Sequence, residues 1–231
     1  MPDGVLPRKS VSTKSARRRA GRPLHALLGH AQITSAALKL VSKDGYKALT
    51  MSSLAKSLNV APSALYNHVR SKQDVLVLVE EALMGRVDVT AFANRPWAEA
   101  VSVWARSYRN VFSAHVPLIP VIALLPVTNA SQTLLMYDAV TKGFLRAGWP
   151  QEHIIDAIVA LESFIYGSAY DVNAPADIFS PGDLAGQTPN FTAAVAHRSN
   201  QHGANDADAA FELGLSALIA GLSATIQKPA L

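Results

Sequence analysis

Residues 64 to 76 read ALYNHVRSKQDVL, and Tyr66, Asn67, His68, Arg70 and Lys72 crowd into that span with only Val69 as a core-type interruption. These groups suit the surface of a nucleic acid. An asparagine amide pairs with N6 and N7 of adenine, and the hydroxyl of nearby Ser63 is a less selective donor and acceptor for base edges. Tyr66, His68 and Lys72 suit phosphate oxygens, as two neutral donors and one fixed charge. The alternative is that Tyr66 and His68 pack against a neighbouring element, as such residues on short helices often do.

What must position them is a set of short helices. In AQITSAALKLVSKDGY, Ile33, Ala37, Leu40 and Val41 keep the spacing of an amphipathic helix, and Gly45 stands where a left-handed cap is expected. Thr50 is a plausible N-cap for a second helix with Leu54, Ala55 and Leu58 inward, ending near Asn59. Pro62 suits the first turn of a third, on which Leu65 and Val69 face inward. Two helices joined by Asn59, Val60 and Ala61 make a helix-turn-helix, whose second helix enters the major groove. Thr50 and Ser52, at the positive dipole end of the preceding helix, can donate to a phosphate.

The charge distribution agrees. The formal net charge is +4, yet residues 1–75 hold 13 Lys/Arg against 3 Asp/Glu, and the remainder holds 8 against 14. A basic amino-terminal third on an acidic remainder points to a polyanion at one end only. Residues 1–29 have no sustained period and read as a flexible basic arm. They lack the apolar run of a secretory signal. Cysteine is absent, which excludes disulfides and thiolate metal sites. No window approaches about 18 uninterrupted apolar residues, so no membrane partner is expected and the cytoplasm is the expected compartment.

After Lys72 the pattern stays helical: a longer helix from KQDVLVLVEEALMGRV, then 97–114, 118–125, 129–147, 151–172 and 206–227, with a looser stretch at 173–205 that holds a helix near 188–199. The expected architecture is all-α: arm 1–29, helix-turn-helix domain 30–77 and a helical effector-binding and dimerisation domain 78–231. No glycine-rich phosphate loop, nucleophile elbow or HExxH motif argues for an enzyme. His197 and His202, five apart, do not align on one helix face as metal ligands. No cofactor is expected.

The segment LTMSSLAKSLNVAPSALYNHVRSKQDVL resembles the DNA-binding unit of the tetracycline-repressor (TetR) family. Val60, Leu65, Tyr66, His68, Val69 and Lys72 fill the family pattern V-x-x-x-x-LY-x-H-[VF]-x-x-K. The resemblance implies that Thr50, Tyr66, His68 and Lys72 bind phosphates, while Ser52, Pro62, Ser63 and Asn67 lie near bases. The tetracycline repressor has an arginine for guanine where this chain has Ser52, so the operator should differ. Arg17, Arg18, Arg19 and Arg22 of the arm suit a narrow A·T-rich minor groove; unspecific phosphate attraction is the alternative.

The remainder is similar to the same branch. The resemblance implies a homodimer joined by a four-helix interface, and two apolar stripes were natural candidates for it: Ile154, Ile158, Leu161 and Ile165, and Phe211, Leu215, Leu218 and Leu222. It also implies that the helix carrying Trp104, Tyr108 and Phe112 lines an effector cavity with Val121, Leu125, Met136, Val140, Phe164 and Asp171, and His115 is a further polar candidate. Val121 stands where the tetracycline repressor has its magnesium-coordinating histidine, which points away from magnesium–tetracycline to a more apolar small-molecule effector. Asp171 leaves room for a cationic or hydroxylated one. The expected function is a homodimeric repressor released from a palindromic double-stranded DNA operator by that effector. The rival is a DNA-binding architectural protein with no effector; it requires a solid core where the sensor requires a cavity beneath Trp104 and Tyr108.

Overall fold

The computed structural model describes residues 28–202 and 206–226, so Arg17, Arg18, Arg19 and Arg22 of the expected arm lie outside the described residues. Among those described there are ten α-helices and no strand.

Helix α1 (His30–Asp44) buries Ile33, Ala37 and Val41, with Leu40 at the edge of the core. Its closing turn uses a backbone open to glycine: Gly45 has φ 79° and ψ 168°, and its amide donates to the Val41 carbonyl. The ψ is extended rather than left-handed, which sends the chain into a 3-10 turn over Tyr46–Ala48. Helix α2 (Met51–Ser57) starts on Thr50, as expected, with a reciprocal cap. Ser53 N–H donates to Thr50 Oγ1 at 3.1 Å, and Thr50 N–H donates to Ser53 Oγ at 3.0 Å. Asn59, at φ 54°, turns the chain out of α2.

Helix α3 is shorter than its pattern predicts, spanning Pro62–Tyr66. Asn67, His68 and Val69 lie beyond it in a hydrogen-bonded turn in which His68 and Val69 amides both donate to the Leu65 carbonyl. That turn keeps Leu65 and Val69 buried without needing a longer helix. Helix α4 (Lys72–Met84) is capped by Ser71, whose Oγ accepts from the Asp74 amide, while Asp74 accepts from Arg70 N–H at 2.7 Å. The domain boundary expected after residue 77 falls inside this unbroken helix, which packs on α1 at one end and on the later helices at the other.

The remaining helices are α5 (Trp97–Ser113), α6 (Ile119–Ile122), α7 (Ser131–Arg146), α8 (Gln151–Asp171), α9 (Pro189–His202) and α10 (Asp206–Ile226). Helix α5 is the central element, packed on α8, α10, α7 and α4. Trp97, Phe144 and Trp149 close one end of its core with ring centroids 5.0 to 5.2 Å apart. Gly143 allows α7 to meet the 3-10 turn before α5, since a Cβ there would run into the Phe92 ring.

The two stripes expected at a dimer interface turn inward instead. Ile154, Ile158, Leu161 and Ile165 of α8 and Phe211 and Leu215 of α10 are buried within the chain, and Leu218 and Leu222 pack against the same core. The opposite faces stay open: Ile155 is 60% exposed, Val159 52% and Leu213 76%. By length and composition alone residues 207–225 could cross a bilayer. Here that helix docks through Phe211 and Leu215 and through two ion pairs to α5, Arg106–Glu212 and Arg109–Asp208, each at 2.6 Å.

Candidate DNA interface and effector core

Helices α2 and α3 pack on each other and present a polar surface. Thr50, Ser52, Pro62, Ser63, Tyr66, Asn67 and His68 are all exposed. An exposed tyrosine at 49% has little packing role, so the alternative in which Tyr66 simply fills a core does not hold. Lys72 is half-buried, its ammonium 3.8 Å from the centre of the Tyr46 ring, which fixes the charge beside the α3–α4 turn. Arg70, omitted from the expected contacts, is exposed in that turn as well, and its charge was the signal for it.

The expected effector residues divide into three groups. Trp104, Tyr108 and Phe112 form one buried row along α5, with centroids 5.5 and 5.2 Å apart, and Met136 and Val140 of α7 are buried too. Val121 and Leu125 are half-buried against this core, as is His115, whose imidazole burial and Arg86 hold below its ordinary pKa. Phe164 lies elsewhere, stacked on Phe211 at 5.6 Å in the α8–α10 seam. Asp171 is exposed at the end of α8, on a separate cleft of about 600 Å³ with Phe179 and Arg198.

The space expected beneath Trp104 and Tyr108 is filled. Tyr166 of α8 packs its ring edge to face against both Tyr108 and Phe112, at 5.5 and 5.1 Å. Open clefts among the described residues lie along α1 and the end of α2, near α9, and between Phe92 and α7.

Inside this aromatic core is a polar cluster that the sequence reading missed. The Glu162 carboxylate accepts from Tyr137 Oη at 2.8 Å and from Tyr108 Oη at 3.0 Å, and Tyr108 and Tyr166 share a hydroxyl–hydroxyl bond of 2.8 Å. Glu80 of α4 joins them, 2% exposed. One of its oxygens accepts a long 3.4 Å bond from Thr133 Oγ1; the other, Oε2, has no partner among the described residues. The indole N–H of Trp104 is likewise buried and unpartnered.

Burial, with Glu81 and Glu162 close by, pushes the Glu80 carboxyl up to about 7. Burial also raises Glu162, against the hydroxyls of Tyr137 and Tyr108, which favour its charged form. The three phenols are raised far above their usual range, first by burial and then by the carboxylates, so they are neutral donors at any physiological pH. A signal for Glu162 and Tyr166 existed. Glu162 is four residues after Ile158 and three before Ile165, in phase with the buried stripe, and Tyr166 is four further on.

Among the described residues no group of three or more His, Asp or Glu side chains could hold a metal ion. The arrangement combines apolar walls with a few polar groups, the composition of small-molecule sites, in a core that is packed in this structure.

Comparison with known proteins agrees with both halves. Residues 33–79 match the family described as bacterial regulatory proteins, tetR family, and residues 93–226 match the tetracyclin repressor-like C-terminal domain. An HTH-type transcriptional regulator of Saccharopolyspora erythraea is 26% identical over 208 residues, 86% of each chain. The tetracycline repressor protein class A from transposon 1721 of Escherichia coli is 27% identical over 197 residues, 83% of this chain and 88% of its own. The Streptomyces coelicolor TetR family protein ActR, solved in complex with actinorhodin, superposes with a TM-score of 0.71 at 27% identity, over 89% of this chain and 100% of that one. Members of the family bind DNA operators and small-molecule effectors and act as dimers. With its exposed polar face on α2 and α3 and its matched carboxy-terminal domain, the chain belongs to the TetR family and is a ligand-responsive, DNA-binding transcriptional regulator.

Proposed function

We propose that the chain is a homodimeric repressor of the cytoplasm that binds a palindromic operator and is released by an aromatic effector seated in the core of α5, α7 and α8. The observation that carries this reading is helix α4. It begins at Lys72 beside the exposed DNA face and reaches Glu80 in the buried polar cluster, eight residues on, about 12 Å along one rigid helix. A ligand that moves Glu80 therefore acts on the element that carries α2 and α3. Functionally, the chain divides after residue 77 into a DNA-binding domain, 30–77, and an effector and dimerisation domain, 78–231, with α4 as their shared part.

In this reading Thr50, Tyr66, His68 and Lys72 hold phosphates, Ser52, Pro62, Ser63 and Asn67 face bases, and the arm of residues 1–29 adds charge. Trp104, Tyr108, Phe112, Met136 and Val140 wall the effector site, with Val121, Leu125 and His115 at its margin. The half-buried ring of Tyr166 is the piece that shifts to admit an effector and then packs against it, which supports a sensor despite the filled core. Actinorhodin, a ligand of the related ActR, makes a fused-ring aromatic the natural first compound to test.

The deciding experiment selects duplexes from a randomised pool with the full-length protein, then titrates actinorhodin into the selected complex. A palindromic winner bound by two chains and released by ligand is the expected result. A pool with no enriched sequence, or a complex indifferent to every aromatic tried, rejects the reading.

A further inference from the structure

We infer that Glu80 and Glu162 form a recognition site for a protonated or quaternary nitrogen on the effector. The inference rests on reading the α5–α7–α8 core as the effector site, and deepens it.

Two carboxylates inside one aromatic core are costly to the fold unless they take up protons or an opposite charge meets them. Among the described residues no opposite charge does. The charges that act on Glu80 are those of Glu81 and Glu162, both negative. Basic side chains on the surrounding helices are committed elsewhere. Arg106 and Arg109 of α5 pair with Glu212 and Asp208, and Lys142 of α7 pairs with Asp138. Arg146 of α7 donates to the carbonyls of Phe92 and Ala93. Lys72 sits at the opposite end of α4, and α8 contains neither lysine nor arginine.

A role in folding accounts for Glu162, which orders the hydroxyls of Tyr108 and Tyr137. It does not account for Glu80, with one 3.4 Å bond and one unpartnered oxygen at 2% exposure. Glu80 lies close enough to the phenols of Tyr137 and Tyr166 for its charge to act on both. The rings of Trp104, Tyr108, Phe112 and Tyr166 pack around the same phenols. Carboxylates backed by aromatic faces are what an organic cation needs: the acids supply counter-charge and the rings supply their negative faces. Glu162, Tyr137 and Tyr166 are half-buried, so the cluster reaches solvent on that side.

The test uses the full-length protein without DNA and two matched probe pairs, read by fluorescence titration. Rhodamine 6G, a cation, is compared with fluorescein, an anion on the same ring skeleton. N-methylacridinium is compared with neutral acridone. At least one cation should bind ten-fold or more tightly than its counterpart. That preference should collapse toward unity in Glu162→Gln and Glu80→Gln and largely return in Glu162→Asp, which keeps the charge. Both glutamine variants are near-isosteric and remove a buried charge, so misfolding is not the expected confounder. If acridone or fluorescein binds as well as the cations, and loses affinity in Tyr166→Ala, the cation inference is overturned while the effector site stands. If no probe of any charge binds, both fall.

Discussion

A carboxyl held at about 7 titrates in the middle of the working range, so the stability of this protein should carry its mark. The folded-state pKa of Glu80 lies above its ordinary value of 4.5, so between those values the native state binds more protons than the unfolded one. The neutral carboxyl is therefore fully tolerated below about pH 4.5, and stability falls as pH rises through 7, by on the order of 3 kcal/mol. Glu80→Gln should raise the melting temperature by several degrees at pH 8 and hardly at all at pH 4.5. Equal gains at both would show that Glu80 is not the titrating group. Some slope of the same sign should persist in the variant, because Glu162 is raised by burial too. At the other end of α4, Lys72 tests the phosphate reading. Lys72→Ala should weaken binding to every duplex alike and reduce the slope of log affinity against log salt by about 1, since one fewer counterion is released. A change in preferred sequence with an unchanged salt slope would mean that Lys72 does something else.

At the scale of elements the question is how α4 is held. Ala130 offers no side-chain cap to α7, and Glu81 of α4 supplies one from outside. Its carboxylate accepts from Ser131 Oγ at 2.8 Å and from the amides of Gln132 and Thr133 at 2.9 and 3.2 Å. Burial alone would raise Glu81, but these donors outweigh it and hold the group below its ordinary value. Glu81→Ala should lose about 2 kcal/mol at neutral pH, the range for charge-assisted bonds, read by urea titration. The deficit should shrink as pH falls through the folded pKa of Glu81, below its ordinary 4.5. A loss independent of pH would point to packing instead of charge. Such a contact joins residues about 50 apart and has no local signature, which marks the limit of what the chain disclosed in advance. Helix positions were legible because apolar residues recur every three or four: α5 and α8 end one residue from where that period placed them. The Thr50 cap was legible because hydroxyl caps are local. The early end of α3 was not, because the turn at Asn67 to Val69 buries the same two residues that a longer helix would. Glu162 was legible as a charge in phase with a buried stripe, but its partners Tyr108 and Tyr137 lie on other helices and leave no local signature.

For the whole molecule the open matter is which faces meet a second copy. The stripes that the sequence recommended are consumed inside the chain, and the exposed large apolar groups on the outer faces of these two helices include Ile155 and Val159 on α8 and Leu213 on α10. Ala217, Ala220 and Gly221 continue the exposed side of α10, and at Gly221 a Cβ would meet nothing within 4 Å, so a second helix could approach closely. An operator with half-sites one turn apart needs two DNA-binding units about 34–36 Å apart, which this face would fix. Val159→Arg and Leu213→Arg should each give a folded monomer by light scattering, with operator affinity reduced about 100-fold or more as the second half-site ceases to be an intramolecular encounter. Ile158→Arg, one position away on α8, provides the contrast. Its side chain is 2% exposed, so an unpaired charge there should unfold the chain and leave no stable monomer at all. If instead Ile158→Arg yielded a folded monomer while Val159→Arg and Leu213→Arg remained dimeric, the inward packing of α8 described here would itself have to be wrong.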